Sequence, residues 1–302
     1  MKTFRGFAQE RDRLTLQLDK ELSKRVLRSQ ERLRRDLIAE LYSILSLDGS
    51  AITTSGINLQ NASRIIDQIF RQWQRSEGLD IIEFVGRNIF GIHNLNTRYY
   101  TSFLNASAVS AAGEKALSLT LARYGVNRDG TIDPDGYLFD IISDNSVSRQ
   151  LKSVVNRLIS SGDPISEMRK NINQTLGTRG VGAIERTVSE GLPSGMLQID
   201  RETNNHMSTD LGLDYAIYQG GEIQTTRPFC EERNNKVFTR EEISRFGTSA
   251  DQFGGYTNKS QGHFQGKTRI YDPFEDLGGY NCRHFYSWIS KDLAVRMRPD
   301  LK

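Results

Sequence analysis

The sequence predicts an α+β protein: a predominantly helical N-terminal part, residues 1–180, followed by a small α+β module, residues 181–302, with a short antiparallel sheet. Three observations predict it. The first proline is Pro134, so no obligate helix breaker stands before it. The apolar residues of that stretch recur at helical spacing. After Gly212 the glycines and aromatics cluster, and alternation replaces the helical period.

From Leu14, apolar residues at Leu18, Leu22, Val26, Leu33, Leu37, Leu41 and Ile44 form one face of a long helix, ended by Asp48-Gly49-Ser50. Ile65, Ile66, Ile69, Phe70 and Trp73 mark a second helix, interrupted at Ser76-Glu77-Gly78. A third runs from about Leu79 past Phe90, and a fourth from about Thr97 to Tyr124, rich in Ala and Ser. The stretch Gly125–Gly136 superficially matches a calcium loop. With Gly130 as the sharp-turn glycine, however, Gly125 and Gly136 fall where an EF-hand needs carboxylates, so it reads as a turn.

Further helices are expected over Tyr137–Ile142, Ser146–Ser160 and Pro164–Leu176, the last capped by Asp163-Pro164. Gly177 to Gly182 is the strongest linker signal and sets the soft boundary near residue 180. Another helix follows Gly191-Leu192-Pro193-Ser194 and reaches about Leu211. Leu213–Tyr218 and Lys236-Val237-Phe238 read as strands, and Thr239 with Glu242 as a capping box. Ala250–Gly279 reads as a long loop and Tyr280–Ile289 as an extended segment.

Composition limits the function classes. Forty Lys and Arg against 37 Asp and Glu leave a charge of +3, so any nucleic-acid contact must come from a local patch. Two cysteines cannot make a disulfide-dense secreted scaffold. No apolar run approaches the roughly 18 residues of a membrane helix, and Met1–Arg13 lacks the apolar core of a signal peptide. A soluble protein made in the cytoplasm is expected, with no membrane partner.

Four groups are candidate sites. Cys230, His263, Cys282 and His284 could form a tetrahedral zinc site, although neither C-x2-C nor H-x3-H pairing is present. A Cys230–Cys282 disulfide is the alternative, disfavoured in a reducing compartment, and two buried free thiols are the leading reading. Cys282 and His284 also invite a nucleophile pair, but nothing in the sequence marks a low-pKa thiol. Arg25, Arg28, Arg32 and Arg35 lie along one side of the first helix and could meet DNA or an acidic partner. Glu21, Glu31, Asp36 and Glu40 interleave with them, which favours a solvated flank with internal ion pairs. The tail, with Lys291, Arg296, Arg298 and Lys302, reads the same way. Arg201-Glu202-Thr203 alone is only a polar helix face.

Three segments carry a resemblance. They are Thr226-Arg227-Pro228-Phe229-Cys230, then Lys236-Val237-Phe238, then Gly279, Asn281, Cys282, Arg283 and His284. With Arg201-Glu202-Thr203 ahead of Tyr215–Gly221, they resemble the C-terminal domain of phage head morphogenesis proteins, the Mu F-like minor head protein family. The likeness covers roughly Asp200 to Ile289 in motif detail. Two positions depart from it: Asn234-Asn235 stands where many relatives have Asp-Gly, and His284 where some have Cys.

The resemblance implies a structural, non-enzymatic virion protein acting in procapsid assembly and DNA packaging or ejection. Its partners would be the portal protein, other head proteins and, in some relatives, packaged DNA. It implies no cofactor and no small-molecule substrate. The expected place is the phage head interior or the portal region, with the host cytoplasm during assembly. The rival is a zinc-binding nuclease or hydrolase using Cys230, His263, Cys282 and His284. Arg227 and Arg283 are expected to hold loops by hydrogen bonds to backbone, and Phe229, Val237, Phe238 and Tyr280 to fill a small core.

Overall fold

The computed structural model describes residues 4–177, 182–192, 195–224, 226–248, 250–252, 271–279 and 282–301. The expectations for His263, Tyr280, Asn281, Lys302 and most of the Ala250–Gly279 loop lie outside the described residues. The chain is mostly helical with a small antiparallel sheet, as the sequence predicts. It divides into two compact units, but not at residue 180. One unit comprises Met1–Asp19, Arg87–Arg123 and Leu192–Lys302; the other comprises Lys20–Gly86 and Tyr124–Gly191. Two long helices, α1 (Phe4–Ile44) and α3 (Leu79–Thr101), contribute residues to both. The linker signal near residue 180 therefore does not mark the division, and the helices α1 and α3 each pass from one unit to the other.

In the unit of Lys20–Gly86 and Tyr124–Gly191, the α1 stripe of Leu22, Val26, Leu33, Leu37 and Leu41 is buried. The Asp48-Gly49-Ser50 signal is the turn of a two-residue hairpin, β1 (Leu47–Asp48) with β2 (Ala51–Ile52), and Gly49 takes φ +62° there. Helix α2 (Gly56–Trp73) starts at Ser55, whose side chain accepts the Asn58 N–H. The expected interruption at Ser76-Glu77-Gly78 is not a break. A π-helical turn, Gln74–Gly78, carries the chain on into α3. Gly78 permits this, since a Cβ there would sit 3.3 Å from the Trp73 carbonyl and 3.5 Å from Ile142.

The Gly125–Gly136 stretch closes on itself through a Val126–Ile132 bridge. A Cβ on Gly125 would lie 2.3 Å from the Gly136 Cα, so both glycines are needed for contact between backbones. Asp129 Oδ1 accepts from the Thr131 N–H and hydroxyl, which is turn chemistry. Helices α5 (Tyr137–Ser143), α6 (Ser146–Ser161), α7 (Ile165–Leu176) and α8 (Ala183–Gly191) complete the unit. Pro164, not Asp163, is the N-cap of α7, because the Asp163 and Pro164 backbone is drawn into pairing with Ile52 and Ala51.

In the other unit the expected helix from Thr97 to Tyr124 is two helices. Chain leaving α3 at Thr101 re-enters α4 (Ala106–Tyr124) at Asn105, whose side-chain oxygen accepts from the N–H groups of Ser107 and Ala108. Helix α9 (Gly195–Asp210) leads into β3 (Tyr215–Gly220). Then follow α10 (Pro228–Arg233), β4 (Lys236–Thr239), α11 (Arg240–Ser244), β5 (His284–Ile289) and α12 (Lys291–Met297). Thr239 and Glu242 form the expected capping box.

The sheet order is β4-β3-β5, antiparallel throughout, with Tyr218 opposite Lys236 and Tyr286, and Gly220 opposite His284. The β3–β4 turn passes through Asn235 at φ +61°, a left-handed conformation that asparagine tolerates. One sheet face, with Ala216, Tyr218, Phe238, Tyr286 and Trp288, packs into the core that contains Tyr99, Tyr100, Val109 and Met207. The other carries Ile217, Val237 and Ile289 against Ala294.

Strand β5 lies at the sheet edge, yet every one of its residues is buried. Its outward carbonyls are taken by side chains instead of a further strand. Arg201 Nε donates to His284 O (2.9 Å), Arg11 Nη1 and Asn204 Nδ2 donate to Tyr286 O (2.8 and 2.9 Å), and Tyr99 Oη donates to Trp288 O (2.7 Å). The edge is thereby closed to pairing with another chain. Arg11 is itself fixed by Asp200 (2.5 Å), which also accepts from Asn96 Nδ2 (2.9 Å).

Candidate functional site

The motif segments meet at the start of β5. Pro228 occupies the first turn of α10 and sets its direction, so Cys230 points inward from that short helix. Cys282 sits just before β5 and His284 is its first residue. The two sulfurs are 3.7 Å apart although 52 positions separate them in the chain. Cys282 Sγ lies 3.9 Å from His284 Nδ1 and accepts the His284 N–H at 3.5 Å. All three side chains are 2–3% exposed. Both thiols are free.

Tyr218, at the centre of β3, donates its hydroxyl to Cys230 Sγ at 3.2 Å, and its ring stacks on the His284 ring with centroids 5.3 Å apart. Gly278 passes directly beneath the pair: a Cβ there would lie 2.4 Å from Cys230 Sγ and 3.1 Å from Cys282 Sγ. Gly220 makes room for His284 in the same way, since a Cβ would approach its Cα to 2.8 Å and its Cδ2 to 3.0 Å.

The thiols behave unequally. The hydrogen bond with Cys282, with burial added, pushes the Cys230 thiol up. Burial also opposes ionisation of Cys282, but its hydrogen bond with Cys230, the Arg201 charge and the contact with His284 outweigh it. The Cys282 thiol is thus held well below the ordinary thiol range. Cys282 is therefore the more acidic of the two thiols. Burial, followed by the charges of both neighbouring thiols, raises the Tyr218 phenol well above its usual value, so it stays a donor.

Arg201 holds this region together. Buried at 2% exposure, it donates from Nη2 to Cys282 O (2.5 Å), from Nε to His284 O (2.9 Å) and from Nη1 to Glu275 O (3.2 Å). Glu202, fully buried, accepts from Gln198 Nε2 (3.0 Å) and pairs with Arg123 (3.1 Å). Thr203 back-bonds to Ile199 O and meets the Thr120 hydroxyl. Thr226 Oγ1 accepts the Ile223 N–H, and Arg227 donates to Gly278 O at 3.3 Å. Gly279 turns the chain at φ +87°, and its carbonyl accepts the Cys282 N–H. Phe229, Val237 and Phe238 are buried, and Lys236 is exposed.

Arg283, by contrast, is exposed and makes no side-chain hydrogen bond among the described residues, so the expected loop-holding role belongs to Arg201 instead. Arg233 and Arg11 were invisible as structural cations in the sequence. Arg233 is fully buried, pairs with Asp251 (2.6 Å) and lies 3.8 Å over the Phe229 ring.

The arginine stripe is largely consumed by pairing. Arg25 bonds Asp80 (2.7 Å), Arg32 bonds Glu77, and Arg35 meets Asp36 (3.3 Å); Arg28 has no ion pair among the described residues. In the tail, Arg298 grips Glu242 (2.7 Å) and the Val237 carbonyl (3.0 Å).

The motif region is therefore a buried Cys-Cys-His cluster braced by arginines, in a mostly helical α+β protein. Among the described residues it is the one group of three His, Cys, Asp or Glu side chains placed to share a metal ion. No helix among them is long and apolar enough to cross a membrane. No family model, curated protein or solved structure matches the chain.

Proposed function

We propose that the chain is a phage minor head protein: a structural virion component acting in procapsid assembly, portal association and DNA packaging or ejection, without turning over a substrate. The observation that carries this reading is the use made of the motif residues. Arg201 reaches across to the carbonyls of Cys282 and His284, and Arg227 to that of Gly278, so the segments that resemble the head-protein pattern are locked onto one another. Side chains spent on each other define a rigid recognition module better than a reacting centre, which needs open access for substrate. Cys230, Cys282 and His284, each 2–3% exposed, offer no such access to a polymer as large as DNA, which weighs against the nuclease rival.

Contact with portal and neighbouring head proteins falls to the exterior of the two units. Contact with packaged DNA through α1 would fall first to Arg28, since Arg25, Arg32 and Arg35 are paired with Asp80, Glu77 and Asp36. The test is complementation. A phage deleted for this gene should form heads that fail in DNA retention or infectivity and recover when the chain is supplied in trans. Fully infectious particles without the gene would refute the proposal.

A further inference from the structure

We infer that Cys230, Cys282 and His284 bind a zinc ion, which clamps α10 to the start of β5. The inference stands on geometry and is independent of the head-protein reading. In a tetrahedral zinc site, Zn–S bonds of about 2.3 Å and Zn–N bonds of about 2.0 Å place two sulfurs about 3.8 Å apart and a sulfur and a nitrogen about 3.5 Å apart. The Cys230 and Cys282 sulfurs are 3.7 Å apart, and Cys282 Sγ and His284 Nδ1 are 3.9 Å apart. All three donor atoms lie within 4.8 Å of one another, so a small rotation of the side chains closes the set on one ion.

Two further observations point to a ligand. His284 is 3% exposed and turns its Nδ1 to the Cys282 sulfur, the ring nitrogen that the site needs. Tyr218 already supplies the outer hydrogen bond that metal-bound thiolates attract, at 3.2 Å from Cys230 Sγ, and its stacking fixes the imidazole plane. Gly278 leaves the space beside both sulfurs free of a side chain. Two thiolates and an imidazole are the donor set that zinc favours, with a water molecule as the fourth donor. Binding releases the thiol protons to solvent and involves no redox change.

The test uses the full chain, purified under reducing conditions after growth with added zinc, and reads metal content by elemental analysis. One zinc per chain is expected. Exchange to cobalt should give thiolate-to-cobalt charge-transfer absorption and the intense visible bands of a tetrahedral centre. Cys282→Ser and His284→Ala should lose the metal, whereas His284→Cys, which keeps a zinc-binding donor, should retain it. Tyr218→Phe should weaken zinc about 10-fold. Because Cys282→Ser and His284→Ala could misfold, wild-type protein decides the matter. A folded chain with both thiols reduced that takes up no zinc from excess overturns the inference. So does a cobalt form without thiolate charge transfer, or a Cys230–Cys282 disulfide whose reduction restores no metal binding.

Discussion

Replacing Arg201 by methionine removes the charge while keeping an unbranched side chain of similar reach. Three backbone carbonyls, at Glu275, Cys282 and His284, lose a charged donor, and all three residues are less than a tenth exposed. A buried acceptor left without a partner costs about 1–3 kcal/mol. Part of that is offset because the buried guanidinium no longer has to be desolvated. The net loss expected is about 3–5 kcal/mol, a large share of the roughly 5–15 kcal/mol of an ordinary domain. Lysine at the same position reaches fewer carbonyls and should recover less than half of it.

The chain's two tryptophans make this measurable. Trp288 lies in the unit with the sheet and Trp73 in the helical unit, so Trp73→Phe leaves one fluorophore reporting on the Arg201 region. Urea denaturation of Trp73→Phe with and without Arg201→Met gives the difference. A change below about 1 kcal/mol would show that the carbonyls find other donors, and the bracing role of Arg201 would be refuted.

Three further outcomes follow from single contacts. Gly278→Ala should destabilise by about 1–3 kcal/mol and speed labelling of both thiols, because the new Cβ falls 2.4 Å from Cys230 Sγ; unchanged denaturation and labelling would contradict that placement. Burial raises the Asp19 carboxyl to about 6, against the Met196 N–H and the charges of Arg201 and Arg283. The fold thus favours the neutral acid, and stability should be full below about pH 4 and fall by about 3 kcal/mol as pH rises through 6. Asp19→Asn should flatten that slope in pH-dependent melts. Asn235, left-handed at φ +61°, should accept glycine at little cost, but valine there should cost about 1–2 kcal/mol in urea denaturation.

The helical elements were legible because burial follows period. The α1 stripe, the α2 face and the Thr239–Glu242 capping box stand where the sequence puts them. The misplacements are of two kinds, turn-forming residues that do not end an element or a unit and one polar side chain that does. Ser76-Glu77-Gly78 is absorbed by a π-helical turn, Asn105 splits one expected helix through its side-chain oxygen, and the glycines around residue 180 do not separate the units. In the site, Cys230 and Cys282 were candidates for a shared zinc site or a disulfide, and their sulfurs do meet, 3.7 Å apart as free thiols. Tyr218 was visible only as a strand residue, because its hydroxyl finds Cys230 through strand pairing that sequence does not display. Arg11 carried no signal: its partners, Asp200 and the Tyr286 carbonyl, lie 189 and 275 positions away.

Quantitative mass spectrometry of gradient-purified particles tests the proposed function most directly. The chain should sediment with the heads at a fixed ratio to the portal protein and far below the major capsid protein. Particles that carry portal and capsid but none of this chain, while it accumulates in the soluble lysate, would contradict the account.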